Sequence, residues 1–146
     1  IMIGRFPWNK GLANPKDHKK VENILQLTST EHLATQFFNL LSDGEKKRVL
    51  LGRALAQEAS LLIFDEICAN LDIAQASKIF IILKSLAQNG RTILVSTHNL
   101  DLAKRFTDKS ILLQKGSLLD YGQSSSVITQ EKINKAFGLD DVLSKP

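Results

Sequence analysis

The sequence predicts an α/β fold, a mostly parallel sheet flanked by helices. Two continuous apolar runs, Leu61-Leu62-Ile63-Phe64 and Thr92-Ile93-Leu94-Val95-Ser96, read as strands covered on both faces. Between them, residues 73–87 carry apolar side chains at helical spacing, so the three segments form a parallel βαβ crossover. Composition agrees: 146 residues, 43% apolar and 23% charged, suffice for one packed domain.

The elements follow in order. Residues 1–15 read as irregular, interrupted by Pro7, Gly11 and Pro15. Asn14-Pro15 opens a helix with Val21, Ile24, Leu25 and Leu27 as its apolar stripe, and a second short helix is expected over residues 30–38. From Ser42 a longer helix presents Val49, Leu50, Leu51, Ala54 and Leu55 at helical spacing. The helix between the two strands stops at Asn89-Gly90, where glycine takes a left-handed backbone at little cost. Past His98, a helix through Leu100, Ala103 and Phe106 leads to two strands between Ser110 and Gly122 around a Lys115-Gly116 turn. A helix over residues 130–137 and a frayed tail complete the chain.

Charge and cysteine usage narrow the function classes. The net charge of +4 comes from scattered lysines and arginines, not from one basic block, which argues against nucleic acid as a partner. Cys68 is the single cysteine and has no internal disulfide partner, which fits a reducing compartment such as the cytoplasm. No apolar run approaches the roughly 20 residues of a membrane-spanning helix, since Ile79-Phe80-Ile81-Ile82-Leu83 ends at Lys84. No signal peptide is visible at the first residues. Membrane association is therefore expected only through partners.

Three segments carry candidate chemistry, and each also has an ordinary structural explanation. Ser42-Asp43-Gly44-Glu45 before an apolar stripe is a capping box in any helix. The same unpaired N–H groups and serine hydroxyl also make an anion site. Asp65-Glu66 ends a buried strand. As a solvated strand end it needs no function, but in phosphoryl transfer the first acid holds Mg²⁺ through water and the second deprotonates the attacking water. A lone histidine such as His98 is commonly incidental, yet carboxyl ends of parallel strands are where ligands bind in open α/β sheets.

Taken together, the serine-capped helix, the acid pair, Asn70-Leu71-Asp72 and Ser96-Thr97-His98 resemble, in order and spacing, the C-terminal half of an ATP-binding cassette (ABC) ATPase, a P-loop NTPase fold. Ile3-Gly4-Arg5-Phe6-Pro7 and the run from Ser96 to Gly116 are similar to ATPases that energise uptake of iron chelates, haem or vitamin B12. The resemblance implies part of the helical subdomain at residues 1–41, the C-terminal half of the ATPase core at 42–122, and a C-terminal helix and tail at 123–146. It implies ATP and Mg²⁺ as ligands. Ser42, Gly44 and Glu45 would contact ATP bound to the opposite subunit, Asp65 the magnesium shell, Glu66 the attacking water as general base, and His98 the γ-phosphate. Asp72 would sit at the dimer seam. The implied partners are a second ATPase subunit and membrane permease subunits, at the inner face of the cell membrane.

The chain departs from the family pattern at three places. Asp43 stands where glycine is usual, and Ile67-Cys68 where Pro-Thr is usual. No G-x-x-x-x-G-K-[ST] phosphate loop occurs in the 146 residues. Without that loop the chain alone is expected to hydrolyse ATP negligibly, and the alternative is a catalytically silent binding or dimerisation module. The chromosome-maintenance branch of the superfamily fits less well, because the residues 110–122 hairpin is present and no long heptad run is.

Overall fold

The computed structural model describes residues 1–138, which form two compact units, Ile1–Thr97 and the stretch from His98 onward. The start of the first unit is helical where irregular chain was expected. A 3-10 turn over Met2–Arg5 runs directly into α1 (Phe6–Asn9). Pro7 lies in the first turn of α1, where its missing N–H is no loss. Arg5 is the anchor. Its Nε donates to Asp17 Oδ1 at 2.9 Å, and its Nη1 to the Ala56 carbonyl at 2.9 Å and to Glu58 Oε2 at 2.8 Å. Gly4 permits this approach, since a Cβ there would lie 2.2 Å from the Arg53 carbonyl oxygen. Trp8 adds a bond from its indole N–H to the Gln57 carbonyl at 2.9 Å.

Helix α2 (Pro15–Thr28) opens as the Asn14-Pro15 pair predicts, with the Asn14 side chain accepting from the N–H groups of Lys16 and Asp17. Leu27, expected in its stripe, is instead exposed, and Thr28 is buried with its hydroxyl bonded to the Ile24 carbonyl at 2.8 Å. The helix expected over residues 30–38 is absent. Two separate 3-10 turns, Glu31–Leu33 and Phe38–Leu40, take its place. Leu33 is buried, but Phe37, Phe38 and Leu40 are exposed, so this segment has no continuous apolar face to hold a helix against the core.

Next come α3 (Asp43–Leu55), β1 (Leu61–Phe64), α4 (Ile73–Gln88) and β2 (Thr92–Val95). The strands pair in parallel, Leu61 opposite Thr92 through Phe64 opposite Val95, which confirms the crossover. Leu62 and Phe64 point into a core shared with Leu51 and Leu55 of α3, Ile67, and Ile79 and Leu83 of α4. Alternation along the strand sends Leu61, Ile63 and Leu94 to the other face, where they are 50%, 65% and 50% exposed. Of the cover expected on both faces, the described residues supply one, because α3 and α4 both pack on the Leu62 and Phe64 side.

In the second unit, α5 (Leu100–Phe106) is capped by Asn99, and β3 (Lys109–Gln114) pairs antiparallel with β4 (Ser117–Gln123). Lys115 and Gly116 both have positive φ, the mark of a tight hairpin turn. A short helix α6 (Ser124–Val127), not anticipated from sequence, seats the buried Ser124 hydroxyl 2.7 Å from that of Thr107 and 2.8 Å from that of Ser110. Helix α7 (Gln130–Phe137) stops at Gly138 in a left-handed conformation, and the tail expected beyond it lies outside the described residues. Among the described residues no helix is long and apolar enough to cross a membrane.

Candidate functional site

The acid pair sits where β1 ends. Ser96, immediately after β2, donates its hydroxyl to Asp65 Oδ1 at 2.5 Å, and Ser96 Oγ in turn accepts the Glu66 N–H at 2.9 Å. The parallel register makes this possible, since the Ser96 N–H bonds the Phe64 carbonyl at 2.9 Å and so places the serine beside the turn that follows Phe64. Glu66 has φ of 43°, a left-handed backbone uncommon for a non-glycine residue, which turns the chain sharply after β1. Both acids are exposed, so their adjacency needs no buried counter-charge. Asp65 presents one carboxylate with a serine hydroxyl bonded to it, and the described residues hold no cluster of three or more ligating side chains, so a cation bound here would keep most of its water ligands.

The Ser42 segment realises the capping box. Ser42 N–H and hydroxyl both donate to Glu45 Oε2, at 2.8 and 2.7 Å, and Ser42 Oγ accepts the Glu45 N–H at 3.4 Å. The Ser42 hydroxyl and then its N–H hold the Glu45 carboxyl below its ordinary range, so it is an anion bound at the start of α3. Asp43 points away, 78% exposed, with Lys46 Nζ at 3.8 Å. Asp72 caps α4, its Oδ1 accepting the Gln75 N–H at 2.8 Å.

These predicted residues fall into two groups. Asp65 and Glu66 are joined through Ser96, and the Ser42 helix is joined to the Asp72 cap through Arg48, whose Nη1 donates to Gln75 Oε1 at 2.6 Å. His98 is the exposed first residue of the second unit. Sequence reasoning passed over Ser96 as a contributor in its own right, although it lay in the quoted Ser96-Thr97-His98 run. It also missed Arg48 and Gln75, which no local pattern marks.

Residues 4–69 match the family model described as ABC transporter. A hemin import ATP-binding protein of Gloeobacter violaceus is 31% identical over 99% of this chain and 55% of its own length. The chain belongs to the ABC transporter ATPase family. A manganese transport system ATP-binding protein of Halalkalibacterium halodurans is 34% identical over 94% of the chain and 55% of its own length. Among solved structures, one described as a metal-chelate type ABC transporter in an inward-facing conformation superposes with a TM-score of 0.84 at 28% identity, covering 94% of this chain and 55% of that one. The chain thus spans about half the length of the curated relatives it matches.

Within this ABC ATPase fold, the Ile67-Cys68 departure is a packing feature. Ile67 is 6% exposed and belongs to the core, and Cys68 is half-buried against it. Burial pushes the Cys68 thiol up to about 11, with Lys47 opposing the shift. At pH 8 the folded chain therefore holds far less thiolate than an unfolded cysteine with a pKa of about 8.5. Iodoacetamide should alkylate native Cys68 at least about thirtyfold more slowly than the urea-unfolded chain. Equal rates in the two states would contradict this.

Proposed function

We propose that this chain is the part of an importer's ATP-binding subunit that carries the acid pair of one ATP site and the serine segment of the site opposite. The transported solute would be an iron chelate, haem or cobalamin, by similarity to relatives named for hemin and cobalamin import. The observation that carries the reading is the Ser96 hydroxyl, which orders Asp65 and the Glu66 backbone together at the carboxyl end of a parallel strand pair.

On this reading Asp65 holds Mg²⁺ through water, and the ion, when bound, neutralises charge on the phosphate oxygens. Glu66 accepts the proton of the attacking water. His98 contacts the γ-phosphate. Ser42, Gly44 and Glu45 receive the γ-phosphate and ribose of a nucleotide held by the opposite subunit. There the Ser42 hydroxyl, now bonded to Glu45, would turn its proton to a phosphate oxygen. Asp72 lies at the seam between the two subunits. The partners are a second ATPase subunit and permease subunits, which would hold the protein at the inner face of the cell membrane.

Phosphate release from ATP by the native protein that contains this chain tests the proposal. The expected result is turnover that vanishes when magnesium is chelated. No magnesium-dependent release at millimolar ATP would overturn it in favour of a silent docking module.

A further inference from the structure

We infer that Gln75 is a positioning residue whose single amide ties the Ser42 segment to the Asp72 segment, so that the two respond to nucleotide as one piece. The functional half of this inference rests on the ATPase reading above, and the mechanical half rests only on contacts within the first unit. Gln75 stands in the first turn of α4, and its N–H is received by Asp72 Oδ1 at 2.8 Å. Its side chain turns toward α3, where Oε1 accepts from Arg48 Nη1 at 2.6 Å. Gly44 faces the same amide, since a Cβ built there would lie 3.5 Å from Gln75 Oε1 and 3.7 Å from its Cδ and Cγ.

Arg48 gives this contact its weight. Its Nε is buried without a hydrogen-bond partner among the described residues, and its Nη1 is held by the Gln75 carbonyl. The Nη1 donor is part-buried, and on losing its acceptor it must either stay unsatisfied or move toward water. Arg48 lies about 1.7 turns along α3 from Ser42, so its movement would be felt at that helix start. Through one side chain, then, the helix start at Ser42 and the helix start at Asp72 keep a fixed relation. Gln75 touches no reacting atom, and its role is to position the residues proposed to do so.

Two variants separate this from a merely structural role. Gln75→Leu keeps the helix, the volume and the backbone N–H to Asp72 but deletes the acceptor. Gln75→Glu restores an acceptor for Arg48, strengthened by charge. Hydrogen exchange is read first, on the protein without nucleotide, at Lys46 and Ala76, whose N–H groups bond the Ser42 and Asp72 carbonyls. In Gln75→Leu both amides should exchange about threefold or more faster, with the β2 strand amides unchanged, and Gln75→Glu should restore both. ATP turnover by the native protein is read second. The ATP concentration for half-maximal rate should rise about five- to tenfold in Gln75→Leu, with maximal rate within about twofold, and return in Gln75→Glu. Unchanged exchange at Lys46 overturns the tie. Coupled exchange with an unaltered ATP dependence overturns its role in nucleotide engagement. Coupled exchange in a protein that hydrolyses no ATP keeps the tie and removes the ATPase reading instead.

Discussion

Replacing Arg5 by methionine is expected to destabilise the first unit by about 3–5 kcal/mol, the cost typical of removing one partner from a buried ion pair. Arg5 is 4% exposed, and its guanidinium serves Asp17, Glu58 and the Ala56 carbonyl at once. Burial by itself would lower its pKa, but the bonds to Glu58 and Asp17 outweigh that and raise it. Methionine fills much of the space and leaves the Asp17 carboxylate, itself 2% exposed, without its cation. With total domain stability of about 5–15 kcal/mol, such a loss is a large share. Urea unfolding of parent and variant measures it, and a difference under about 1 kcal/mol would refute it. Adding Asp17→Asn to the variant should recover much of the midpoint, because an asparagine oxygen can still accept the Asn14 N–H that closes the α2 cap.

The same cluster sets an acid limit. The Arg5 bond, then the Asn14 N–H, hold the Asp17 carboxyl below its ordinary range, and Lys20 and Arg5 do the same for Glu58. For a depressed carboxyl, the stabilisation is present above the unfolded value of about 4 and is lost as pH falls through the folded value. The parent chain should therefore lose stability as pH falls below about 4, and the Arg5→Met variant, whose Asp17 has lost the cation and with it most of the stabilisation that acid removes, should lose less over the same range when urea midpoints are compared across pH.

What the sequence showed and what it hid divide along the range of the interactions involved. The β1-α4-β2 crossover was legible because apolar runs, helical spacing and the Asn89-Gly90 stop are local signals. The Ser42 box was legible for the same reason, its partners being three residues apart. The helical start of the chain was not, because Arg5 finds Glu58 at a separation of 53 residues and Pro7 alone suggests a break. An apolar run announces a strand without saying which elements cover its faces, and within this chain α3 and α4 cover the Leu62 and Phe64 side while Ile63 and Leu94 stay exposed. Ser96 became meaningful only through the parallel register that sets it beside Asp65, and Gln75 only through Arg48, 27 positions away.

Glu66→Gln in the native protein is expected to cut magnesium-dependent ATP turnover by about 10²–10⁴-fold, the range for losing a positioned general base. That corresponds to about 3–5 kcal/mol of lost transition-state stabilisation. The substitution is nearly isosteric, and the backbone N–H that Ser96 Oγ receives at 2.9 Å is untouched, so Asp65 keeps its serine and the left-handed turn keeps its shape. Glutamine cannot take a proton from water, so the chemical step fails while the surroundings that bind nucleotide persist. Half-saturation by ATP should consequently change little, the opposite split from Gln75→Leu, where affinity moves and maximal rate holds. The contrast matters because a general loss of folding would lower both variants alike. A Glu66→Gln protein that retains more than about a tenth of parental turnover would show that another group takes the proton, and would return Asp65-Glu66 to the status of an ordinary solvated strand end.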